Sequence, residues 1–214
     1  MPELVETLVY TFNELDEPAK ERARDWYRRC LPHDGWHEAV FEDFERICDI
    51  LGVELATRPV RLLGGGTRQK PCIWFSGFSC QGDGACFEGY YFYRKRSVHE
   101  IRAYAPTDHG LAAIADDLQR IQKKNFYALE AHIRHRGRYY HEHSMEIDVE
   151  RVGHVSQSLT SDAEAGVAEA LRALARWLYS QRDREYDYQM SKEVVDEALE
   201  ANGYAFTGSG AVFR

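Results

Sequence analysis

Three histidines in the second half of the chain have the side chains to bind a metal ion. His141 and His143 are two positions apart, and His135 lies shortly before them. A regular strand over 139–150 would put these two histidines on one face and the nearby carboxylates on the other, namely Glu142, Glu146 and Asp148. Because the ligands of Zn²⁺ must converge on one point, this alternation predicts no metal site and no bound cofactor. The pattern favours a half-buried strand whose histidines hydrogen-bond to tyrosine or backbone groups.

The five cysteines offer a second possible chemistry. Cys72, Cys80 and Cys86 are spaced too irregularly for a zinc knuckle, and the odd total of five favours a reduced, cytosolic chain. Their positions on or beside predicted strands indicate small buried side chains. A Cys80 nucleophile paired with a distant histidine remains an alternative, although no local signature accompanies it.

A glycine-rich segment, Gln81 to Gly84, separates two runs rich in aromatic residues. The segment predicts a hairpin turn in which glycine supplies a positive φ. Its spacing is not that of a phosphate-binding loop. Polar residues on a loop held by a rigid hairpin are candidates for recognition, so we predict that Gln81, Asp83 and Glu88 contribute to a binding site.

A second predicted hairpin, 126–135 with 139–150, turns at 136–138 and alternates between apolar and polar residues. The alternation predicts a sheet with one buried face and one polar outer face. Residues predicted for the outer face are Glu130, Arg134, Tyr140, Glu142, Glu146 and Asp148. Such a face is either a solvated surface with cross-strand ion pairs or an acidic surface for a basic partner. We include Arg134, Tyr140 and Glu142 among the predicted binding residues, and we predict no catalytic residue.

Hydrophobic periodicity and capping residues supply the elements that would position these side chains. Predicted helices cover about 16–30, 36–51, 107–121, 161–187 and 191–202, and residues 96–100 are predicted to be a polar link. The predicted N-caps are Asp16, Thr107 or Asp108, Ser161 and Ser191, and Gly52 is the predicted C-terminal stop of the second helix. Strands are predicted at 6–12, 53–55 and 60–63, in the two hairpins, and in a small closing pair at 204–206 and 211–213. The predicted fold is α+β: a single domain, 1–214, with a mainly antiparallel sheet and amphipathic helices packed on one face. We predict that the hairpin within 72–94 forms the central pair of that sheet.

Composition limits the class of protein. The 35 acidic and 27 basic residues give a formal charge of −8, which argues against general nucleic-acid binding. We expect no signal peptide from the N-terminal residues, and the absence of any run of about 20 apolar residues predicts no membrane span. These features predict a cytoplasmic protein. A homodimer is kept as an alternative to a monomer.

Several segments resemble an uncharacterised family found in tailed phages and prophages. They are FSGFSCQGDGACFEG (75–89), YTFNELDEPAKERARDWYR (10–28), HRGRYYHEHSMEIDVE (135–150) and EYDYQMSKEVVDEALEANGYAFT (185–207). Some members of that family are labelled as antitoxins of a toxin–antitoxin stability system. The resemblance implies an accessory phage product acting in the bacterial cytoplasm, and it carries over no catalytic residue.

Two functional hypotheses follow. The first is a non-enzymatic binding protein that inhibits a host defence component, as anti-CRISPR proteins do, or neutralises a toxin. The alternative is a small hydrolase acting on a nucleotide or nucleic acid through the histidine face or the Asp83 loop. We prefer the first because no nucleophile–base set or ligand set has a recognisable spacing.

Overall fold

The computed structural model describes residues 6–30, 35–78, 82–152, 160 and 162–213. The helices are α1 Glu17–Cys30, α2 Glu38–Leu51, α3 Ser97–Tyr104, α4 His109–Lys124, α5 Ala163–Met190 and α6 Lys192–Ala201. The strands are β1 Val53–Leu55, β2 Thr57–Arg61, β3 Thr67–Pro71, β4 Ile73–Phe75, β5 Ala85–Phe87, β6 Gly89–Phe92, β7 Leu129–His135 and β8 Met145–Arg151. The predicted α+β class is confirmed.

The chain divides into two compact units. The central unit is Ala39–Arg182, and the terminal unit combines Met1–Glu38 with Asp183–Arg214. The assignment of all 214 residues to one domain stays a prediction. No helix in the described part of the chain has the length and apolar character needed to cross a membrane.

The central unit is built on a four-stranded sheet with the order β1-β6-β7-β8. Every neighbouring pair is antiparallel. Along β7 the residues Leu129, Ala131 and Ile133 are buried, while the residues between them face outward. This period of two is the physical origin of the one-sided sheet, as the sequence predicts.

Helices pack against the buried face of this sheet. One continuous apolar core contains Phe44 and Ile47 of α2, Leu118 of α4, and Leu171 and Leu174 of α5, together with the inward residues of the strands. The predicted packing of amphipathic helices on one face is confirmed. On the other face of the sheet, His132 and Arg134 of β7 are exposed.

The hairpin within 72–94 differs from its prediction. Strands β4 and β5 form a separate two-stranded sheet, and β6 alone enters the four-stranded sheet. The prediction of a central pair is wrong because Glu88 separates β5 from β6, which pair with different partners. The connection from β4 to β5 is also a longer loop rather than a tight turn, with Ser76 bonding to Gly84 across its base.

The second hairpin has the predicted pairing and a shorter second strand. His135 pairs with Met145 and Leu129 with Arg151, so β7 and β8 are matched over their whole length. Residues 139–144 are not strand: they form a loop that ends in a 3₁₀ turn, Glu142–Ser144. This loop breaks the predicted strand alternation over residues 139–144. The side chains of Tyr140, His141, Glu142 and His143 therefore point in directions that the alternation did not predict.

Helix capping follows the sequence closely. The side chain of Asp16 accepts a hydrogen bond from Ala19 N at 2.8 Å, and that of Asp108 accepts one from Leu111 N at 2.8 Å. Gly52 ends α2 with φ +85°, as predicted for a C-terminal glycine. The sequence analysis missed α3, which it treated as a polar link; Ser161, the predicted cap of α5, lies outside the described residues.

The terminal unit holds α1 and α6 around a small apolar core that includes Ala19, Val195 and Phe206. The predicted strands at both chain ends are reduced to isolated bridges, Tyr10 with Phe206 and Phe206 with Val212. Arg24 is buried at 2% exposure and donates to Asp196 at 2.6 Å, an ion pair that holds the two helices together and raises the pKa of the guanidinium.

Candidate functional site

The outer face of the four-stranded sheet is a polar surface that spans all four strands. We call it the outer sheet face, and it consists of Glu54 (β1), Tyr90 and Phe92 (β6), Glu130, His132 and Arg134 (β7), and Glu146, Asp148 and Glu150 (β8). The strand register determines which of these residues are cross-strand neighbours. Tyr90 lies between Glu54 and His132, and Glu130 lies between Phe92 and Glu150. The members therefore form one continuous surface.

Aromatic rings occupy the middle of this face. The Tyr90 and His132 rings meet edge to face with centroids 4.7 Å apart, and Phe92 lies 6.5 Å from Tyr90. Tyr90 and Phe92 are half-buried, and His132 is exposed. Partly exposed aromatic rings surrounded by polar groups are a typical feature of the centre of a protein-binding surface.

The rim of the outer sheet face is strongly acidic. Arg134 lies between two of the carboxylates, 3.7 Å from Glu146 and in contact with Asp148. Glu54, Glu130 and Glu150 have no ion-pair partner in the described part of the chain. Glu130 and Glu150 are directly opposite each other in the register, a like-charge pair that destabilises the sheet. A repulsive pair in the folded protein is relieved when a cationic group binds over it.

Five of the six residues predicted to bind belong to the described part of the chain, and these five lie in different places. Arg134 is on the outer sheet face, as expected for that strand. Asp83 is half-buried in the loop before β5, and Gln81 lies outside the described residues. Glu88 has a structural contact, because its carboxylate accepts a hydrogen bond from His135 N at 3.0 Å. The loop candidates Asp83 and Glu88 and the sheet candidate Arg134 therefore lie on different elements, as the two separate predictions expected.

Tyr140 and Glu142 were predicted for the outer face, and that prediction is wrong. Both lie in the loop before β8, where the strand alternation does not apply. The Tyr140 ring stacks on Trp74 with centroids 6.1 Å apart and planes 8° apart. Glu142 is 8% exposed and lies beside the imidazoles of His141 and His143 rather than opposite them.

The same loop overturns the geometric reason for excluding a metal. His141, Glu142 and His143 each offer a ligand atom, and these atoms all lie within 4.8 Å of one another. His135 behaves as predicted, because its Nε2 lies 3.0 Å from the carbonyl oxygen of Tyr139. His141 and His143 line a shallow depression of about 400 Å³ that also includes Gly82, Arg136 and Arg138.

Position 84 requires a glycine because of close packing, and not because its backbone has a positive φ. Neither Gly82 nor Gly84 has a positive φ, so that part of the prediction is wrong. A Cβ at position 84 would lie 2.8 Å from His141 Cδ2 and 3.1 Å from His141 Cα. A Cβ at position 82 would meet nothing within 4 Å. The glycine-rich loop therefore fits closely against the histidine-bearing loop.

Two of the three cysteines considered as possible nucleophiles or ligands are buried. Cys72 and Cys86 are buried, which confirms the interpretation of small apolar side chains. Burial raises the pKa of the Cys86 thiol to about 12, so it stays protonated at neutral pH and is a poor nucleophile. Cys80 lies outside the described residues.

Sequence analysis missed a second charged surface, formed by the exposed hairpin of β2 and β3. We call it the basic ribbon, and its cations are Arg58, Arg61, Arg68 and Lys70. Arg58 is directly opposite Lys70, a second like-charge pair in a protein whose net charge is negative. The sequence carries the signal, because residues 56–71 include four basic residues and no acidic one.

The fold and its surfaces define an α+β protein with an antiparallel sheet, helices packed on one face and acidic residues on the outer face. Residues 36–192 match the model of a family described as a domain of unknown function, DUF8835. The match spans more than half of the 214 residues and the whole of the central unit, so the chain belongs to this family. No curated protein and no solved structure matches the chain.

Proposed function

We propose that this protein acts by non-enzymatic binding, with the outer sheet face as the surface that contacts a basic partner protein. The observation that carries the proposal is the opposed pair Glu130 and Glu150, next to the exposed ring of His132. Repulsion between the two carboxylates raises the free energy of the unbound protein. An arginine or lysine of a partner placed over them removes that cost.

The chemistry of the face indicates how such a partner would bind. Tyr90 and Phe92 supply apolar area at the centre, where contacts contribute most to affinity. The carboxylates around them supply charge complementarity, which raises the association rate and selects against acidic partners. Among the described residues, no cation forms an ion pair with Glu54, Glu130 or Glu150, so binding need not break an ion pair there.

The resemblance to tailed-phage and prophage proteins suggests the cellular setting. In that setting the protein acts in the bacterial cytoplasm, and its partner is a component of host defence or a toxin. Inhibition of such a target by binding is stoichiometric. Titration of the target should therefore saturate at a fixed molar ratio, whereas complete loss of target function at substoichiometric amounts would contradict the proposal.

The direct test compares the partner affinity of two double variants with that of the wild-type protein. A partner is captured from bacterial lysate on immobilised wild-type protein, identified, purified and titrated. In Glu130→Gln/Glu150→Gln the partner affinity should fall at least tenfold, about 1.4 kcal/mol, and the salt dependence of binding should become weaker. The control Glu42→Gln/Glu164→Gln removes the same charge from exposed helix positions and should keep wild-type affinity.

Equal affinity of the wild-type protein and the Glu130→Gln/Glu150→Gln variant would overturn the assignment of this face. The folded state of the variant is checked by its melting temperature, which should not fall because the substitution removes a repulsion.

The hydrolase hypothesis is favoured by one observation, the cluster of His141, Glu142 and His143 beside Arg136 and Arg138. Imidazole and guanidinium groups around one depression are suited to an anionic substrate such as a nucleotide. Repeated turnover of a nucleotide by the wild-type protein, lost in His141→Ala, would support the hydrolase over the binding protein.

A further inference from the structure

We propose that His141, Glu142 and His143 form a binding site for one divalent transition-metal ion. The ligand set is two imidazole nitrogens and one carboxylate oxygen. This set suits Zn²⁺ and its neighbours rather than Mg²⁺ or Ca²⁺, which prefer oxygen ligands. The site is independent of the outer sheet face.

The 3₁₀ turn brings the three side chains to one side of the loop. His141 is extended, with φ −150° and ψ 155°, and the turn begins directly after it. Ser144 holds this geometry because its hydroxyl donates to His141 O at 2.7 Å and accepts from His141 N at 3.2 Å. Close packing of Gly84 against His141 restrains the loop from the other side.

Glu142 lies between the two imidazoles. Its Oε2 is 3.0 Å from His141 Nδ1, and its Oε1 is 3.9 Å from His143 Nε2. A zinc ion bound at about 2.0–2.2 Å from each ligand atom requires separations of roughly 3–3.5 Å. The His143 side chain is 71% exposed, so a small rotation of that ring can close the longer separation.

The hydrogen bonds around His141 Nδ1 cannot all be satisfied by a neutral imidazole. His143 N donates to this nitrogen over 3.2 Å, while Glu142 Oε2 lies 3.0 Å from the same atom. A nitrogen that accepts the amide proton has no proton for the carboxylate, so two electron-rich atoms face each other. A bound cation supplies the missing positive charge, and water can take over the amide of the exposed His143.

The burial of Glu142 adds a second, independent reason. The residue is 8% exposed, and a carboxylate removed from water to this extent requires a compensating charge or hydrogen bonds. The nearest guanidinium is that of Arg176, which is 3.8 Å from Glu142 and is held by Glu169 at 2.5 Å. This distance is too long for a hydrogen bond, so Arg176 compensates Glu142 only in part.

A metal ion can reach the site from solvent. His141 and His143 both line the shallow depression of about 400 Å³, together with Arg136 and Arg138. Three protein ligands leave a further coordination position for water or an anion, as in open zinc sites.

The test is a calorimetric titration, in which ZnCl₂ is added to untagged protein that has first been treated with a chelator. The wild-type protein should bind one ion per chain, and His143→Ala and Glu142→Gln should each weaken binding at least tenfold. The control His99→Ala removes an exposed histidine from α3 and should keep wild-type affinity. All titrations are made in a Cys30→Ser background, because Cys30 is an exposed thiol and thiolates are zinc ligands.

Substitution with Co²⁺ identifies the ligands. The visible spectrum should show nitrogen and oxygen coordination without thiolate charge transfer. No heat of binding, or equal zinc affinity in the wild-type protein and His143→Ala, would overturn the proposal. Because no partner protein is present, either outcome leaves the proposed function to its own test.

Discussion

At the residue scale, Gly84 packs closely against His141. We expect Gly84→Ala to destabilise the protein by about 1–3 kcal/mol, because the added Cβ would overlap the imidazole and backbone of His141. Urea unfolding of the variant and the wild-type protein measures this difference in the free energy of unfolding.

Gly82→Ala is the matched control, since a Cβ there meets nothing within 4 Å. It should change stability by no more than about 0.5 kcal/mol. Equal stability of the two variants would contradict the close packing of the glycine-rich loop on the histidine loop. Any effect of Gly84→Ala on zinc affinity would further link this packing to the proposed metal site.

At the scale of elements, the basic ribbon pairs Arg58 with Lys70 across its two strands. Lys70→Glu replaces a repulsive cross-strand pair by an attractive one and should raise stability by about 0.2–1 kcal/mol. The melting temperature measures the gain. Arg61→Glu is the control because its cross-strand neighbour is the uncharged Thr67, so it should give no such gain.

A stability gain in Lys70→Glu would show that the ribbon retains a pair that is unfavourable for folding. Unfavourable charge pairs in a native protein are often kept for binding, as we propose for Glu130 and Glu150 on the outer sheet face. An unchanged or lower melting temperature would mean that the two cations are far enough apart in solution to avoid each other.

At the scale of the whole molecule, the core of the central unit should lose stability at alkaline pH. Burial raises the pKa of Tyr91 to about 12 and that of Cys86 to about 12. Both groups ionise more easily in the unfolded chain. Their contribution to the free energy of unfolding is therefore complete below about pH 9, and it is lost as the pH rises toward 12.

The urea midpoint, measured between pH 8 and pH 11, should therefore fall with pH. Tyr91→Phe removes one of the two groups and should make the fall shallower. The control is Tyr139→Phe, because Tyr139 is 66% exposed. In this variant the urea midpoint should fall with pH as steeply as it does in the wild-type protein. A urea midpoint that does not change over this range would contradict the shifted pKa values.

The sequence by itself determined the local elements of this protein. Asp16, Asp108 and Ser191 cap the helices that their positions predict, because a cap acts on amide groups two or three residues away. The alternation in β7 likewise predicted the buried and exposed faces of the sheet, since it depends only on the period of a strand.

Only the tertiary structure decided which strands pair and which side chains meet. Glu88 separates β5 from β6, and the two strands join different sheets, a choice made by long-range pairing that no local pattern records. The turn at Glu142–Ser144 replaced a predicted strand, because packing of His141 against Gly84 and hydrogen bonding by Ser144 outweigh local strand propensity. That turn moved Glu142 from the far side of the two histidines to a position between them, and the proposed metal site follows from this change.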